Sequence, residues 1–191
     1  MHFIVLAALV ALLSPLETAS GAFLLKPETT EFRLKPETTG VQAAALGRLR
    51  EDSVQSAALG KEMKYRVLVP EGYDSSLERY PVLYLLHGLG GNYADWTTRS
   101  NVAEYSRTLP LIIVMPDAGN HWYTNADDGS DRFEDYMTTD LPADVVQKYR
   151  TINSRYGRAI AGLSMGGYGA SRIGMKHAEV FGSLYIMSPC C

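Results

Sequence analysis

Ala159-Ile160-Ala161-Gly162-Leu163-Ser164-Met165-Gly166-Gly167-Tyr168-Gly169 decides how the rest of the chain is read. Arg158 to Ala161 form a short apolar run that reads as a buried strand. Tyr168 to His177 have helical character. Between them Gly162, Ser164 and Gly166 fit the pattern G-x-S-x-G, a sharp strand-to-helix turn with a serine at its tip. The glycines have a steric purpose, because side chains flanking so tight a turn would collide with strand and helix. The turn lifts the Ser164 hydroxyl clear of a sheet edge. It also sets it near the amino end of a helix, where free N–H groups favour developing negative charge. An ordinary Gly-rich turn is the alternative.

Upstream, Pro81 to Leu86 and Leu111 to Met115 are continuous apolar runs, as in strands covered on both faces. Met63, Tyr65, Val67 and Val69 alternate with polar or differently facing neighbours, the mark of a half-buried strand. Val54–Ala58 and Glu62–Val69 read as a hairpin around Leu59-Gly60-Lys61. Helices are expected over Asn101–Thr108 and Phe133–Tyr149, with Pro142 marking an internal start or kink, and a last strand over Ser183–Met187. This alternation predicts an α/β fold, a mostly parallel sheet with helices on both faces.

Acyl transfer through a serine needs donors for the oxyanion, a base, and a group that orients the base. His87-Gly88-Leu89-Gly90-Gly91 directly follows a buried strand, and glycines there let main-chain N–H groups approach a substrate carbonyl. The expected oxyanion donors are the N–H groups of Leu89 and Met165. A plain βα turn or a phosphate cradle is the competing reading of the loop. A dinucleotide site would want G-x-G-x-x-G, which the loop does not supply.

The chain holds four histidines. His2 falls in the leader, His87 is expected to shape the Gly-rich loop, and His177 ends a helix, where a cation complements the dipole. In this order of elements the acid and base follow the serine, yet no histidine follows the last strand. The expectation is a sequence truncated at its C-terminus before acid and base. A rearranged site using His121 is the alternative.

With 191 residues, 46% of them hydrophobic, the chain suffices for one domain with a real core. A net charge of −3 with interspersed signs argues against a nucleic-acid partner. Cys190 and Cys191 are adjacent, a poor geometry for a structural disulfide, and no zinc-type spacing occurs. Asp127, Asp128 and Asp131 miss the calcium-loop spacing, so no metal is expected. Phe3 to Leu13 is apolar and small residues follow to Ala22, so residues 1–22 resemble a secretory signal peptide. That implies a secreted or periplasmic protein with no membrane span after cleavage, an uncleaved anchor being the alternative. Residues 23–52 read as a flexible linker, in which Leu25-Lys26-Pro27-Glu28-Thr29-Thr30 recurs at Leu34 to Thr39, and residues 53–191 as the folded domain.

Taken together, His87-Gly88-Leu89-Gly90-Gly91, Asn92-Tyr93-Ala94-Asp95-Trp96, Met115-Pro116-Asp117, Trp122-Tyr123-Thr124-Asn125 and the Ser164 turn resemble the esterase D / antigen 85-like esterase family of α/β-hydrolases. That family includes S-formylglutathione hydrolases, feruloyl and acetyl-xylan esterases, and mycolyltransferases. The resemblance covers about residues 54 to 191. It implies Ser164 as nucleophile, Leu89 and Met165 as oxyanion donors, no cofactor, and an acid and base beyond Cys191. His87, Gly88, Trp96, Trp122 and Tyr123 are the expected pocket residues, the aromatics offering a surface for a sugar or phenolic group. Local loop packing is the other role open to those aromatics. The substrate class is a small-molecule ester, carbohydrate-linked in one version. An acyltransferase acting on a sugar alcohol, and a non-catalytic binding protein, stay open beside it.

Overall fold

The computed structural model describes residues 48–190. The expected leader, the repeat and nearly all of the expected linker lie outside the described residues. The strands are β1 (Leu49–Ser56), β2 (Lys61–Leu68), β3 (Val82–Leu86), β4 (Ile112–Pro116), β5 (Arg158–Leu163) and β6 (Ser183–Met187). They form one sheet in the order β1-β2-β4-β3-β5-β6. A tight turn with Gly60 at φ 62° makes β1 and β2 an antiparallel hairpin. β2 also runs antiparallel to β4, while β4-β3-β5-β6 is parallel throughout. The sheet is therefore mixed, a parallel body with the antiparallel hairpin along one side. β1 begins at Leu49, five residues ahead of the strand expected at Val54.

The parallel strands are apolar on both faces because both are covered. On one face Tyr65, Val67, Tyr84, Leu86, Val114 and Ile160 pack with side chains of the later helices. These helices are α3 (Phe133–Asp135), α4 (Leu141–Lys148) and α5 (Met165–Lys176). On the other face Leu68, Leu85, Ile113, Met115 and Ala161 meet residues of α1 (Asp95–Arg99) and α2 (Val102–Tyr105).

Two helices differ from expectation. The helix expected over Asn101–Thr108 is confined to α2, and a further helix that was not expected, α1, precedes it across a break at Ser100. That residue is extended (φ −143°, ψ 168°). Its hydroxyl donates to the Trp96 carbonyl at 2.5 Å and accepts the Val102 N–H at 3.3 Å, so the side chain competes with the helix ladder. The segment Phe133–Lys148 is helical, with a π turn over Tyr136–Asp140 ahead of α4. There the Leu141 N–H reaches the Tyr136 carbonyl. Pro142 supplies no N–H to the ladder, and the wider turn accommodates it.

α5 is tied to α3 by a buried carboxylate. Glu134 accepts from His177 Nε2 at 2.8 Å, Lys176 Nζ at 2.5 Å and Arg172 Nε at 3.2 Å. Burial alone would raise its pKa, but these three hydrogen bonds outweigh it and hold the carboxyl down at about 2. Among the described residues no helix is long and apolar enough to cross a membrane.

Candidate active site

β5 delivers the chain to a turn that few residues tolerate. Ser164 has φ 56° and ψ −117°, in the region that L residues rarely adopt. A Cβ at Gly162 would collide with the Gly166 backbone, and one at Gly166 would lie 2.5 Å from the Leu86 carbonyl oxygen and 2.6 Å from that of His87. Both positions therefore require glycine, and their absence of side chains lets α5 dock on β3. The strained turn is held from behind. The Ser164 N–H donates to the Met187 carbonyl at 3.0 Å, and the Ser164 carbonyl accepts the N–H groups of Tyr168 at 2.9 Å and Cys190 at 3.2 Å. Ser164 is partly exposed, and Met165, the first residue of α5, is fully buried. The Met165 N–H falls in the first turn, where helix donors have no intrahelical partner.

Sheet register brings the Gly-rich loop to the same place. Leu86 pairs with Gly162, so β3 and β5 end level and residues 87–91 emerge beside Ser164. A Cβ at Gly88 would sit 3.6 Å from the Ser164 Cβ. The Gly88 carbonyl is turned away from solvent, engaged by His87 Nδ1 at 2.8 Å and by the Gly91 N–H at 3.1 Å. A trans peptide points its C=O and N–H in opposite directions. Anchoring the Gly88 oxygen therefore aims the Leu89 N–H the other way, out of the turn. His87 is buried, and its Nε2 accepts the Ala118 N–H at 3.1 Å, which assigns the ring proton to Nδ1. It shapes the loop as a neutral imidazole.

The two loops border a cleft of about 400 Å³. Leu89, Trp96 and Leu163 give it an apolar side, and Asp95, Arg99 and Ser100 a polar one. Leu89 is 58% exposed and Leu163 42%, so both present apolar surface at the cleft. Arg99 and Asp95 face each other at 3.4 Å. Of the expected pocket residues, His87, Gly88 and Trp96 border this cleft together with Ser164 and Leu89. Trp122 and Tyr123 do not. Tyr123 is fully buried, its hydroxyl donating to the His87 carbonyl at 3.2 Å. Trp122 lies edge-on to Tyr168, with ring centroids 5.7 Å apart. Burial pushes the Tyr123 phenol well above its usual pKa, so it stays a donor.

The other two described histidines are engaged elsewhere. His121 stacks on Phe133 at 4.4 Å and pairs through Nδ1 with Asp131 at 3.2 Å; His177 binds Glu134 and Glu179. None of the described histidines is hydrogen-bonded to Ser164. Asp95, Arg99, Ser100, Leu163 and Asn120, which accepts the Gly90 N–H at 2.8 Å, were not singled out from sequence. For Arg99 and Ser100 the local pattern carries no signal of a cleft, whereas a Gly-Asn pair after a strand could have flagged Asn120 as a turn residue with a free acceptor. Among the described residues no group of three or more His, Cys, Asp or Glu side chains could hold a metal ion.

A serine at a strained strand-to-helix turn, on the carboxyl edge of a largely parallel sheet with a Gly-rich loop beside it, defines an α/β-hydrolase scaffold. Residues 56–191 match the family model described as "putative esterase", and the chain belongs to that esterase family. Esterase MT1326 of Mycobacterium tuberculosis is 37% identical over 135 residues, covering 68% of this chain and 29% of its own length. An acetyl esterase of Caldicellulosiruptor saccharolyticus is 30% identical over 60% of this chain and 43% of its own length. The solved structure of a ferulic acid esterase superposes with a TM-score of 0.68 at 33% identity, covering 74% of this chain and 57% of the other. The chain thus spans less than two thirds of the length of each.

Proposed function

We propose that the protein is a serine carboxylesterase that hydrolyses small ester or acyl-sugar substrates through an acyl-enzyme on Ser164. The observation that carries this reading is the 3.6 Å approach of the Gly88 Cβ position to the Ser164 Cβ, with the Gly88 carbonyl tied back. A substrate carbonyl carbon against the serine hydroxyl would then have its oxygen near the N–H groups of Leu89 and Met165. Ser164 Oγ adds to that carbon and its proton passes to a general base. The negative oxygen is stabilised by the two N–H groups until the bond to the alcohol breaks and the alcohol leaves with the proton. Water then hydrolyses the acyl-enzyme by the same steps. The exposed leucines and Trp96 suit an apolar acyl or aromatic group, and Asp95, Arg99 and Ser100 suit a polar alcohol. Likeness to proteins named acetyl esterase and ferulic acid esterase supports that range. The leader-like residues 1–22 support export, to the periplasm or beyond.

The test is covalent labelling of the full-length protein with a fluorophosphonate, followed by peptide mass spectrometry. The expected result is one adduct, on Ser164, absent from Ser164→Ala. A folded protein that stays unlabelled and does not cleave p-nitrophenyl acetate or methyl ferulate overturns the proposal.

A further inference from the structure

The segment after β4, residues 117–123, does not line the cleft, yet it grips the loop that does. Three hydrogen bonds join them. The Ala118 N–H donates to His87 Nε2 at 3.1 Å, the Gly90 N–H to Asn120 Oδ1 at 2.8 Å, and the Tyr123 hydroxyl to the His87 carbonyl at 3.2 Å. The first and third hold the residue before Gly88 by ring and by backbone. The second holds the residue after Leu89. The peptide unit that carries the Leu89 N–H is thereby clamped on both sides.

The same segment also touches the other half of the site. A Cβ at Gly169, on the elbow helix α5, would lie 2.7 Å from Tyr123 Cδ2, so the Tyr123 ring lies directly against that helix. Trp122 meets Tyr168 one residue earlier on α5. Trp122 and Tyr123 reach these places through consecutive left-handed backbones, φ 56° and φ 59°. Two adjacent non-glycine residues hold that conformation only where the surroundings over-determine it. Filling the core alone would not need two consecutive left-handed residues, and the partner that the buried Tyr123 hydroxyl finds is the carbonyl of the residue before Gly88.

We infer that Asn120 and Tyr123 are positioning residues: the Trp122–Tyr123 kink drives the Tyr123 ring between the Gly-rich loop and α5, and with Asn120 sets the spacing between the Leu89 N–H and Ser164. The catalytic consequence rests on the reading of Ser164 as nucleophile; the clamp itself does not.

Two variants of the full chain test it, Tyr123→Phe and Asn120→Ala, with Asn120→Asp as the rescue. The first removes one hydroxyl and keeps the ring against Gly169. The second removes the acceptor for Gly90. Two readouts are taken, the rate of phosphonylation of Ser164 and amide hydrogen exchange across residues 87–91. Each variant is expected to slow phosphonylation about tenfold while remaining folded, with a melting temperature lowered by no more than about 5 °C, because oxyanion donors act only when held in place. Asn120→Ala is also expected to speed exchange at Gly90, and Asn120→Asp, which keeps an acceptor oxygen, to restore protection. A wild-type chain that is labelled while both variants react at its rate overturns the inference and leaves the esterase reading intact. If the wild type is not labelled, the esterase reading fails and exchange decides. Unchanged protection of Gly90 in Asn120→Ala then overturns the clamp, and lost protection supports it.

Discussion

The Cβ position of Gly88 lies 3.6 Å from the Cβ of Ser164, although 76 residues of sequence separate the two. This is ordinary van der Waals contact, in contrast to Gly166, where a methyl would run into two carbonyl oxygens. The difference yields a prediction. Gly88→Ala fits the folded backbone, and its stability should change by no more than about 0.5 kcal/mol. The new methyl nevertheless occupies the space in which, in the proposed mechanism, a substrate carbonyl meets the serine. Phosphonylation of Ser164 should fall about tenfold or more. Urea unfolding and labelling rate, measured on the same preparation, check both halves. A variant labelled at the wild-type rate would remove Gly88 from the wall of the site.

Ser164 holds φ 56° and ψ −117° with a side chain attached, a sparsely populated conformation that costs an L residue about 1 to 3 kcal/mol. Glycine escapes that cost, whereas alanine does not. Ser164→Gly should therefore be more stable than Ser164→Ala by about 1 kcal/mol, or about 3 °C in melting temperature for a domain of this size. Both variants should be unreactive towards a fluorophosphonate. Equal melting temperatures for the two would mean that the turn stores no strain.

How far the sequence anticipated this site follows from where each residue's constraint resides. Gly162 announces itself because its constraint is local, the Gly166 backbone four residues on; Gly166 is legible only through the G-x-S-x-G pattern, since what excludes its side chain is the distant backbone of Leu86 and His87. β3 and β4 are similarly legible, since strands covered on both faces have no polar positions to confuse the pattern. Arg99 and Ser100 are silent, because their place at the cleft depends on how α1 packs across the sheet. Ser100 separates α1 from α2 through a local competition, its hydroxyl against the backbone ladder, that composition does not reveal. Tyr123 takes the packing role, one of the two open to it, for a different reason. An aromatic after a turn suits a pocket wall, and only the left-handed backbone at Trp122 and Tyr123 turns the ring inward.

The buried Glu134 supplies the last prediction, a pH dependence. Its carboxyl is held at about 2, below the ordinary 4.5, by His177, Lys176 and Arg172, all at the carboxyl-terminal end of the elbow helix. A depressed carboxylate contributes stability that is fully present above the unfolded-state pKa and is lost as pH falls through the folded one. The contribution should therefore be complete above about pH 5 and mostly gone near pH 2. The full shift would correspond to about 3 kcal/mol. Lys176 and Arg172 are 57% and 43% exposed, so solvent screening reduces what the cluster delivers to about 2 kcal/mol. Glu134→Gln should thus be less stable than wild type by about 2 kcal/mol at pH 7, with the gap closing as both are acidified towards pH 2. Denaturant titrations at a series of pH values measure that gap directly. A gap that stays constant would show that Glu134 stabilises through packing alone, and that the charge cluster does not secure the helix carrying Ser164.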